Sequence, residues 1–497
     1  MVWQFFRDLP VAPAIAKALD VRGFVTPTEI QKLALPVMLD GRDLLAQSKT
    51  GSGKTVAFGV ALLNFLLAKY DVSAEFALPR ALVLCPTREL AEQVAAAIRQ
   101  LGLFIPNLRV VVLTGGTIAD QQRERLQSGA HIVVGTPGRI MDLMQKNDIG
   151  FLQADILVLD EVDRMLDMGF VPSIDWILGF LPKRRQTWLF SATIPEAIRE
   201  MSQKYQVAPV SVTAETMLPD SVIEELFIEI EPRRRAEAIE GMVKRNRYES
   251  VLVFCATKAV CNALAADLFQ RGLYAQVLHG DLDQRSRTEV LARFANKSCT
   301  VLVATDVASR GLDIKDLEVV VNYDLSPDPE VHVHRIGRTG RMGKRGSVFN
   351  FISQLPEAVS NSAERAERAG QVALRLEALS AFMQRPLEKM SYEAFLQKDS
   401  NGRENLLERV VPPMVTVFLG GGRKTKIRKG DILGALTGEA GIDALHIGVI
   451  NIFDSFSFVA LRRDKLKEYM ATLKGLKVKG TRLKVQVLDD NVVKMLD

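Results

Sequence analysis

Residues 46–55, AQSKTGSGKT, combine closely spaced glycines with a lysine and a threonine. They follow a short strand-like run and precede a helical stretch, the order in which backbone N–H groups surround phosphate oxygens. In that setting Lys54 would contact the β- and γ-phosphates of a nucleotide, and the Thr55 hydroxyl would bind Mg²⁺. The strict phosphate-loop pattern has glycine where this chain has Ser48. The spacing still predicts a nucleotide-binding loop.

Two carboxylates follow an apolar run about one hundred residues further on, in ILVLDEVDRM. The run predicts a buried parallel strand, whose carboxyl end is where α/β sheets bind ligands. Asp160 suits a Mg²⁺ ligand, and Glu161 suits a group that polarises an attacking water. Alone, such a pair usually marks a solvated strand end. Together with residues 46–55, it predicts a site that hydrolyses a nucleotide.

A third cluster, HVHRIGRTGR, places arginines at every third position. If this segment is helical, Arg335, Arg338 and Arg341 share one basic face that meets phosphates. An arginine inserted in cis stabilises transition-state charge and raises a phosphoryl-transfer rate by roughly 10³–10⁵. A solvated basic face or a plain RNA contact remains the alternative explanation of this spacing.

These clusters need strands that end at a common edge, and the hydrophobic pattern predicts them. Short β-branched runs alternate with amphipathic helical stretches over the first 360 residues, which is typical of βαβ units and of parallel sheets covered on both faces. One series of runs ends near residue 190, and a second occupies residues 251–351. We therefore expect two α/β domains in tandem, joined within residues 206–219.

Length and composition limit the class of protein. The 497 residues exceed the roughly 250–300 that one core accommodates. The 47% hydrophobic and 25% charged residues exclude a disordered or fibrous chain. No apolar stretch is long enough for a membrane span, and the N-terminus lacks a signal-peptide pattern. Four cysteines without a CxxC pair argue against disulfides and a zinc site, so we expect a cytoplasmic protein.

Positive charge is concentrated at the end of the chain. The formal net charge is only +5, yet residues 412–497 carry 15 Lys and Arg against 9 Asp and Glu. Residues 357–411 have the pattern of a charged helical linker. Residues 412–490 contain strand-like runs around two helical stretches, as in a small α+β sandwich. A basic module of this kind indicates a polyanionic partner.

The chain resembles the DEAD-box RNA helicases from residue 6 to residue 351. The shared motifs, in the family's order, are GFVTPTEIQ, SKTGSGKT, PTREL, TGG, TPGR, DEVD, SAT, ATDVASRGLDI and HRIGRTGR. The resemblance implies two RecA-like parallel-sheet domains, residues 1–207 and 220–356, that close on ATP, Mg²⁺ and single-stranded RNA. It implies an ATP hydrolase that pries apart short duplexes. A DNA translocase is disfavoured because the first and third motifs belong with RNA enzymes.

The resemblance also implies roles for individual residues. Gln31 would read adenine, because a glutamine amide both donates and accepts hydrogen bonds. Asp163, Ser191 and Thr193 would couple hydrolysis to strand separation, and His334 would couple the two domains. The remaining residues that match the family's nucleotide site are Phe6, Phe24, Thr28, Thr50, Gly51, Ser52, Gly53, Lys54, Thr55, Asp160, Glu161, Asp313, Arg338 and Arg341.

Other motif residues match the family's contacts to RNA phosphates and 2′-hydroxyls, which give sequence-independent recognition of RNA. They are Arg88, Gly115, Gly116, Thr136, Arg139, Gln284, Arg287, Thr305 and Arg310. Val162 departs from the family, which has alanine as the third letter of DEAD. Both acids are intact, so we expect near-normal ATP hydrolysis with altered unwinding efficiency.

The tail, with GGGRKTKIRKGDILGALTGEAGI and IGVINIFDSFSFVAL, is similar to the RRM-like RNA-binding domain of DbpA-type helicases. Related ends occur in the cold-shock DeaD-type branch. Phe453, Phe456 and Phe458 could stack on bases, although alternating phenylalanines on a strand are more often half core. A dense basic loop would contact phosphates: Arg423, Lys424, Lys426, Arg428 and Lys429.

The tail's resemblance implies anchoring on 23S ribosomal RNA, so the expected partner is the pre-ribosomal large subunit. We also expect a monomeric protein. Three interpretations therefore stay open: a helicase in ribosome assembly, a general RNA chaperone of the cold-shock or RNA-decay type, and an ATP-gated RNA clamp with weak unwinding. The intact Lys54, Asp160, Glu161, Arg338 and Arg341 speak against the clamp.

Overall fold

The computed structural model divides the chain into two compact units, Met1–Leu218 with Gly311–Asp313 and Pro219–Arg310 with Ile314–Asp497. No helix in the described ranges has both the length and the apolar character needed to cross a membrane. The structure describes residues 3–48, 51–73, 78–116, 119–146, 153–214, 223–306, 317–326, 328–340, 345–353, 362–399 and 410–488.

The first unit is built on a parallel seven-stranded sheet. Its strands are β1 Leu44–Gln47, β2 Ala81–Leu84, β3 Val110–Leu113, β4 Ile132–Gly135, β5 Ile156–Asp160, β6 Gln186–Ser191 and β7 Val210–Thr213. They lie in the order β3-β4-β2-β5-β6-β1-β7. Every described pair is parallel, as the alternation of strands and helices predicted. Because β1, β5 and β6 are neighbours, the loops that follow them share one part of the carboxyl edge.

Helices cover both faces of this sheet. They are α1 Pro13–Val21, α2 Glu29–Leu39, α3 Lys54–Lys69, α4 Arg88–Leu101, α5 Ala119–Gln127, α6 Pro137–Gln145, α7 Val162–Asp167, α8 Val171–Phe180 and α9 Glu196–Tyr205. Side chains alternate along a strand, so successive β5 residues lie on opposite faces of the sheet. Ile156 and Val158 pack in the hydrophobic cluster formed with α3 and α4. Leu157 and Leu159 pack in the cluster formed with α6 and α8. This double coverage explains the unbroken apolar runs.

The second unit contains another parallel seven-stranded sheet. Its strands are β8 Ile223–Ile230, β9 Val251–Cys255, β10 Ala275–Leu278, β11 Val301–Thr305, β12 Val319–Asn322, β13 Gly346–Ser353 and β14 Lys389–Ser391, and they lie in the order β10-β11-β9-β12-β13-β8-β14. Its helices are α10 Arg235–Asn246, α11 Lys258–Gln270, α12 Gln284–Ala295, α13 Pro329–Ile336, α14 Ser362–Met383 and α15 Tyr392–Asp399. The predicted helical linker thus also supplies an edge strand, β14, which pairs in parallel with β8.

The C-terminal part of the second unit is a small α+β sandwich. Strands β15 Met414–Leu419, β16 Ile447–Ile452, β17 Ser457–Arg462 and β20 Val485–Val487 form an antiparallel sheet in the order β16-β17-β15-β20. Helices α16 Lys429–Gly434 and α17 Leu466–Leu473 and the short pair β18 Lys477–Val478 and β19 Thr481–Arg482 complete it. The predicted fold class, two tandem parallel-sheet α/β domains followed by an α+β domain, is confirmed.

This small sheet is docked on α12 of the neighbouring parallel-sheet domain. Phe458 and Leu488 pack against Ala292. Thr416 of β15 is buried, and its Oγ1 lies 2.7 Å from Ser298 Oγ, just beyond the end of α12. Asn296 Nδ2 also donates to Thr416 Oγ1, at 3.4 Å. The two parts share a contact that is apolar at its centre and hydrogen-bonded beside it.

Candidate nucleotide and RNA sites

The loop between β1 and α3 has the geometry of a phosphate-binding loop. Gly51 and Gly53 have φ angles of 86° and 98°, a left-handed backbone that glycine adopts readily. Lys54 begins α3, is buried, and donates from Nζ to the Ser48 carbonyl oxygen at 3.1 Å. The Ser48 hydroxyl, which replaces the expected glycine, lies 3.0 Å from Ser52 Oγ. Because this hydrogen bond joins the ammonium to a neutral carbonyl oxygen, the charge of Lys54 is available to a phosphate. Thr50 lies outside the described residues.

Helix α2 holds this loop through two side chains. Thr28 Oγ1 donates to the Ser52 carbonyl oxygen at 2.7 Å, and Gln31 Nε2 donates to the Gly53 carbonyl oxygen at 3.0 Å. Gln31 Oε1 also accepts from the Thr28 backbone N–H at 2.7 Å. A Cβ on Gly53 would collide with Gln31 Nε2, so this close approach requires glycine. Gln31 is thus fixed against the phosphate loop, and its amide retains a second donor and a second lone pair.

Two aromatic side chains support the start of α2. Phe6 is buried in the main cluster of the first unit. Its ring centroid lies 6.0 Å from that of Phe24, and its backbone N–H donates to the Val25 carbonyl oxygen at 2.9 Å. The N-terminal segment therefore positions the turn that carries Thr28 and Gln31. The adenine contact expected of these four side chains stays a prediction.

Asp160 ends β5 beside the phosphate loop and is almost fully buried. Burial raises the pKa of Asp160 to about 7; the charge of Lys54 opposes this rise, and the charges of Glu161 and Asp163 reinforce it. Its Oδ1 atom is buried without a hydrogen-bond partner in the described part of the chain. Such an atom suits a cation, because a bound ion would satisfy the oxygen and stabilise its ionised form. One carboxylate beside a phosphate loop fits Mg²⁺, which binds through one or two carboxylates plus phosphate oxygens.

Glu161 is held in place by a residue that sequence reasoning did not select. It caps α7 with a φ of 57°, a left-handed backbone unusual for glutamate. Arg164 Nη1 lies 2.8 Å from Glu161 Oε2, and both side chains are buried. The i,i+3 spacing on a helix was the available signal for this pair. The salt bridge fixes the direction of the carboxylate that would orient water.

Asp163 joins DEVD to SAT. Its Oδ2 accepts from the Ala192 and Thr193 backbone N–H groups at 2.9 and 3.1 Å. In return, its own backbone N–H donates to Ser191 Oγ at 3.2 Å. The Ser48 backbone N–H donates to the Ser191 carbonyl oxygen at 2.9 Å. The phosphate loop, the acidic motif and the SAT segment therefore form one hydrogen-bonded group at the ends of β1, β5 and β6.

The expected RNA contacts of the first unit follow β2, β3 and β4 at the same edge of the sheet. Arg88 begins α4 after β2, Gly115 and Gly116 follow β3, and Thr136 follows β4. A Cβ on Gly116 would overlap the Arg88 guanidinium, so these two motifs contact each other. Strands β3, β4 and β2 are neighbours, as are β5, β6 and β1. The carboxyl edge thus divides into a half that carries the motifs expected to contact RNA and a half that carries the motifs expected to bind the nucleotide.

Arg139 is oriented by a glutamine that lies outside the recognised motifs. Arg139 Nε donates to Gln122 Oε1 at 3.1 Å, and its Nη1 donates to Asp142 Oδ2 at 3.1 Å. Gln122 is buried and donates from Nε2 to the Thr114 carbonyl oxygen at 2.9 Å. Gln122 therefore links the TPGR arginine to the end of β3. Its polar, featureless sequence context gave no signal of this role.

In the second unit, the structure corrects the prediction for the arginine cluster. Helix α13 ends at Ile336, so Arg338 lies beyond it and does not share a helical face with Arg335. Arg335 is buried; its Nε and Nη2 donate to the two Asp306 carboxylate oxygens at 2.6 and 2.7 Å. The prediction that Arg335 faces phosphates is therefore wrong, because Arg335 is bound inside its own domain. Arg338 is 5% exposed.

The other predicted residues of this domain lie at strand ends and helix starts. Gln284 and Arg287 occupy the first turn of α12, which Asp283 caps by accepting from two backbone N–H groups. Thr305 ends β11, and His334 lies on α13, half-buried. Three predicted residues lie outside the described part of the chain: Arg310, Asp313 and Arg341.

The basic loop of the C-terminal domain is exposed. The Arg423 and Lys424 backbone N–H groups donate to the Phe453 and Asp454 carbonyl oxygens at 2.9 and 2.8 Å, which anchors the loop to the end of β16. The exposed side chains are those of Arg423, Lys424, Lys426, Arg428 and Lys429. A polyanion can therefore reach all five of these cations.

The phenylalanines of this domain pack mainly on one another and on α12. The rings of Phe453 and Phe456 stack with centroids 4.8 Å apart, and Phe456 lies 5.1 Å from Phe458. Phe458 is 2% exposed and contacts the parallel-sheet domain through Ala292. Phe458 is thus part of a core; Phe453 and Phe456 keep partial exposure.

Comparisons with known proteins agree with this division of the chain. Three family profiles match: DEAD/DEAH box helicase over residues 28–201, Helicase conserved C-terminal domain over residues 234–343, and DbpA RNA binding domain over residues 416–487. The chain is 42% identical over 476 residues to the ATP-dependent RNA helicase DbpA of Escherichia coli, across 96% of this chain and 97% of that one.

Further relatives extend the same similarity. The DbpA helicase of Bacillus subtilis is 33% identical across 97% of this chain and 98% of its own length, and the DeaD helicase of Mycobacterium tuberculosis is 32% identical across 97% and 93%. The solved structure of yeast (S. cerevisiae) Dbp5 bound to RNA and ADP BeF3 has a TM-score of 0.68 and 29% identity, and covers 80% of this chain and 98% of that one. The two parallel-sheet domains accordingly have the RecA-like fold.

Proposed function

This chain belongs to the DEAD-box family of ATP-dependent RNA helicases and ends in a DbpA-type RNA-binding domain, and on that premise we propose that it opens short RNA duplexes locally on 23S ribosomal RNA during assembly of the large ribosomal subunit. The observation that carries the proposal is the divided carboxyl edge of the first sheet. Nucleotide motifs follow β5, β6 and β1, and RNA motifs follow β3, β4 and β2. Hydrolysis on one half can therefore alter RNA binding on the other through the hydrogen-bonded pair β2 and β5, which joins the two halves.

Each group of the nucleotide half has a role in this proposal. The backbone N–H groups of the phosphate loop and the Lys54 ammonium bind the phosphates of ATP. Thr55 and Asp160 would hold the Mg²⁺ that accompanies ATP, and the ion would neutralise phosphate charge. Glu161, aimed by its salt bridge, orients the attacking water, and Arg338 and Arg341 add positive charge at the transferred phosphoryl group.

Asp163 transmits the change at the phosphates to the SAT segment. Its carboxylate accepts from the Ala192 and Thr193 backbone N–H groups, and its own N–H donates to Ser191. A shift of the acidic motif therefore moves the end of β6 with it. Charge-assisted bonds of this kind are the stronger hydrogen bonds in proteins, so they suit a rigid connection.

The C-terminal domain supplies the target in this proposal. One face of its sheet is covered by α12, whereas the loop with five exposed cations is open to solvent. We therefore take this loop as the surface that contacts phosphates. The relatives named DbpA match 96% and 97% of this chain at 42% and 33% identity, and the DbpA RNA binding domain profile matches residues 416–487. We therefore assign targeting to the basic loop, and we expect Phe458 to have a structural role.

The test measures RNA-stimulated ATP hydrolysis by the full chain with 23S rRNA fragments and with unrelated structured RNAs. The variant Arg423→Gln/Lys424→Gln/Lys426→Gln removes three exposed cations of the basic loop. The matched control removes three exposed lysines elsewhere on the same domain, in Lys467→Gln/Lys474→Gln/Lys477→Gln. We expect the loop variant to need about tenfold more 23S fragment for half-maximal stimulation, since each phosphate contact contributes to affinity. The control should change this midpoint less than twofold.

A general RNA chaperone is the second candidate, and the 32% identity to the DeaD helicase across 97% of this chain favours it. The same assay separates the two functions. If 23S fragments stimulate no better than other structured RNAs, and the loop variant weakens all of them equally, targeting to 23S rRNA is wrong. Hydrolysis without any duplex opening would instead support an ATP-gated clamp.

A further inference from the structure

Arg385 follows α14, in the segment that leads from the second parallel sheet to the C-terminal domain, and it contacts a buried carboxylate. Its Nη2 lies 2.5 Å from Glu225 Oε2. The Glu225 side chain on β8 is 1% exposed, whereas that of Arg385 is 39% exposed. A cation from the linker thus neutralises an anion in the interior of the domain. Neither residue belongs to a recognised helicase motif.

The other oxygen of Glu225 binds two interior side chains. Glu225 Oε1 lies 2.7 Å from His332 Nε2 and accepts from Asn350 Nδ2 at 2.9 Å. Burial acts to raise the pKa of Glu225, but the bonds from His332 and Asn350 and the charge of Arg385 outweigh it and hold that pKa below its usual value. Glu225 is therefore a buried carboxylate that stays ionised and depends on its partners.

The hydrogen bonds that begin at Glu225 contact α13 at a second residue besides His332. Asn322 Nδ2 donates to Asn350 Oδ1 at 2.6 Å, and Arg335 Nη1 donates to Asn322 Oδ1 at 2.9 Å. His332 and Arg335 are three residues apart, so they lie on one face of α13, one turn from each other. A helix bound at two such points has a fixed rotation about its axis. Arg338 lies two residues beyond the end of this helix.

The backbone around Arg385 is itself attached to the sheet. Ser380 Oγ donates to the Arg385 carbonyl oxygen at 2.9 Å, and the Phe227 backbone N–H donates to the Glu388 carbonyl oxygen at 2.8 Å. A cavity of about 510 Å³ borders the ion pair and is lined by Glu225, Arg385 and Leu387 among others. Because the Arg385 side chain borders this space and is 39% exposed, it can move away from the carboxylate toward solvent.

We propose that Arg385 is a positioning residue for ATP hydrolysis: seated on Glu225, it holds α13 and the following Arg338 in place, and its release loosens them. The linker that carries the C-terminal domain would then control the hydrolytic site of the protein. The proposal rests on the role assigned above to Arg338. An arginine suits the task because its charge is permanent and its long side chain reaches the interior from the surface.

Kinetics of the full chain test this role with three single variants. Arg385→Met removes the charge and keeps the length, and Arg385→Lys keeps the charge. Lys398→Met is the matched control, since Lys398 pairs with Glu224, the strand neighbour of Glu225, at 2.9 Å. We expect Arg385→Met to lower kcat for RNA-stimulated ATP hydrolysis about tenfold, with KM for ATP and the RNA midpoint within twofold. Arg385→Lys should recover most of kcat, and the control should match the wild type.

Coupling to the helix is tested by a double variant and by hydrogen exchange. If Arg385 acts through His332, Arg385→Met/His332→Ala should be no more than twofold slower than the slower single variant, since the two act on one interaction. Amide hydrogens of residues 329–336 should exchange at least tenfold faster in Arg385→Met and at the wild-type rate in Lys398→Met.

If Arg385→Met leaves either kcat or the exchange of residues 329–336 unchanged, the proposal is wrong. It is also wrong if the fall in kcat is fully explained by thermal unfolding of the variant, seen as a lower melting temperature. Arg338→Ala separates this proposal from the one it rests on. If Arg338→Ala hydrolyses ATP normally, the role of Arg338 is wrong, while the exchange measurement still decides whether Arg385 holds α13.

Discussion

Asp163→Asn should disconnect ATP binding from strand separation. Both carboxylate oxygens of Asp163 accept backbone N–H donors: Oδ1 from Arg164, and Oδ2 from Ala192 and Thr193. An asparagine amide of the same shape must therefore turn its NH₂ group toward at least one donor. Losing one or two hydrogen bonds to a charged acceptor, at ~1.5–3 kcal/mol each, lowers the free energy of unfolding of the first unit by about 3 kcal/mol.

The matched control is Asp283→Asn. Asp283 also accepts two backbone N–H groups, from Arg285 and Ser286, but both bind its Oδ1, and Oδ2 meets only the Ser286 hydroxyl. That hydroxyl can accept from an amide NH₂, so this variant should behave as the wild type.

Three measurements distinguish the effects of Asp163→Asn: denaturant unfolding, ATP affinity, and the rate of opening of a short RNA duplex. Lys54 and the phosphate loop are untouched, so we expect ATP affinity within twofold of the wild type. Duplex opening should fall about 100-fold, the equivalent of ~3 kcal/mol. An Asp163→Asn protein that unfolds at wild-type denaturant concentrations and opens duplexes at the wild-type rate would refute the assigned connection to SAT.

Three further predictions concern the nucleotide half of the edge. Gly53→Ala should weaken ATP binding at least tenfold, because its φ of 98° and its contact with Gln31 exclude a Cβ; Gly138→Ala, where a Cβ meets open space, should bind ATP normally. The pKa of Asp160 is raised to about 7, so between about pH 4 and pH 7 the native state holds a proton that the unfolded state releases. The stability of the nucleotide-free protein should therefore fall as the pH rises through this range. Melting temperatures of Asp160→Asn should lose this dependence on pH. Val162 is fully buried, so Val162→Ala should lower the free energy of unfolding by ~1–2 kcal/mol. The variant should hydrolyse ATP within twofold of the wild-type rate and open at least twice as many duplexes per ATP. If neither the hydrolysis rate nor the opening rate changes, the extra methyl groups of Val162 have no role in coupling.

The sequence predicted the strands whose surroundings are uniformly apolar. Residues 156–159 become β5 and residues 81–84 fall in β2, because a strand covered on both faces reads as a continuous apolar run. Strand β8 was not predicted, since IEELFIEI mixes three glutamates with three isoleucines and has no regular alternation. Its buried Glu225 is tolerated only because His332, Asn350 and Arg385 surround it, and sequence spacing does not reveal partners so far apart in the chain.

The same limit applies to the sites. Residue type and spacing located the phosphate loop and the acidic pair, where neighbours in sequence do the chemistry. Spacing failed for Arg335, because its partners are distant in sequence: Asp306 follows β11 and Asn322 ends β12. It also gave no sign that Gln31 binds the phosphate loop or that Phe458 packs on α12. Each of these contacts depends on how distant segments are brought together.

Helix α12 carries residues expected to contact RNA at one end and the contact with the C-terminal sheet at the other. Its first turn carries Gln284 and Arg287, and its other end, with Ala292, receives the small C-terminal sheet. Twelve residues at a rise of ~1.5 Å each separate these ends by about 18 Å. A helix neither stretches nor bends easily over that distance, so it acts as a fixed spacer. An RNA would then be selected in part by the distance between its single-stranded segment and the segment that binds the C-terminal domain. Selection by distance requires no contact with the bases.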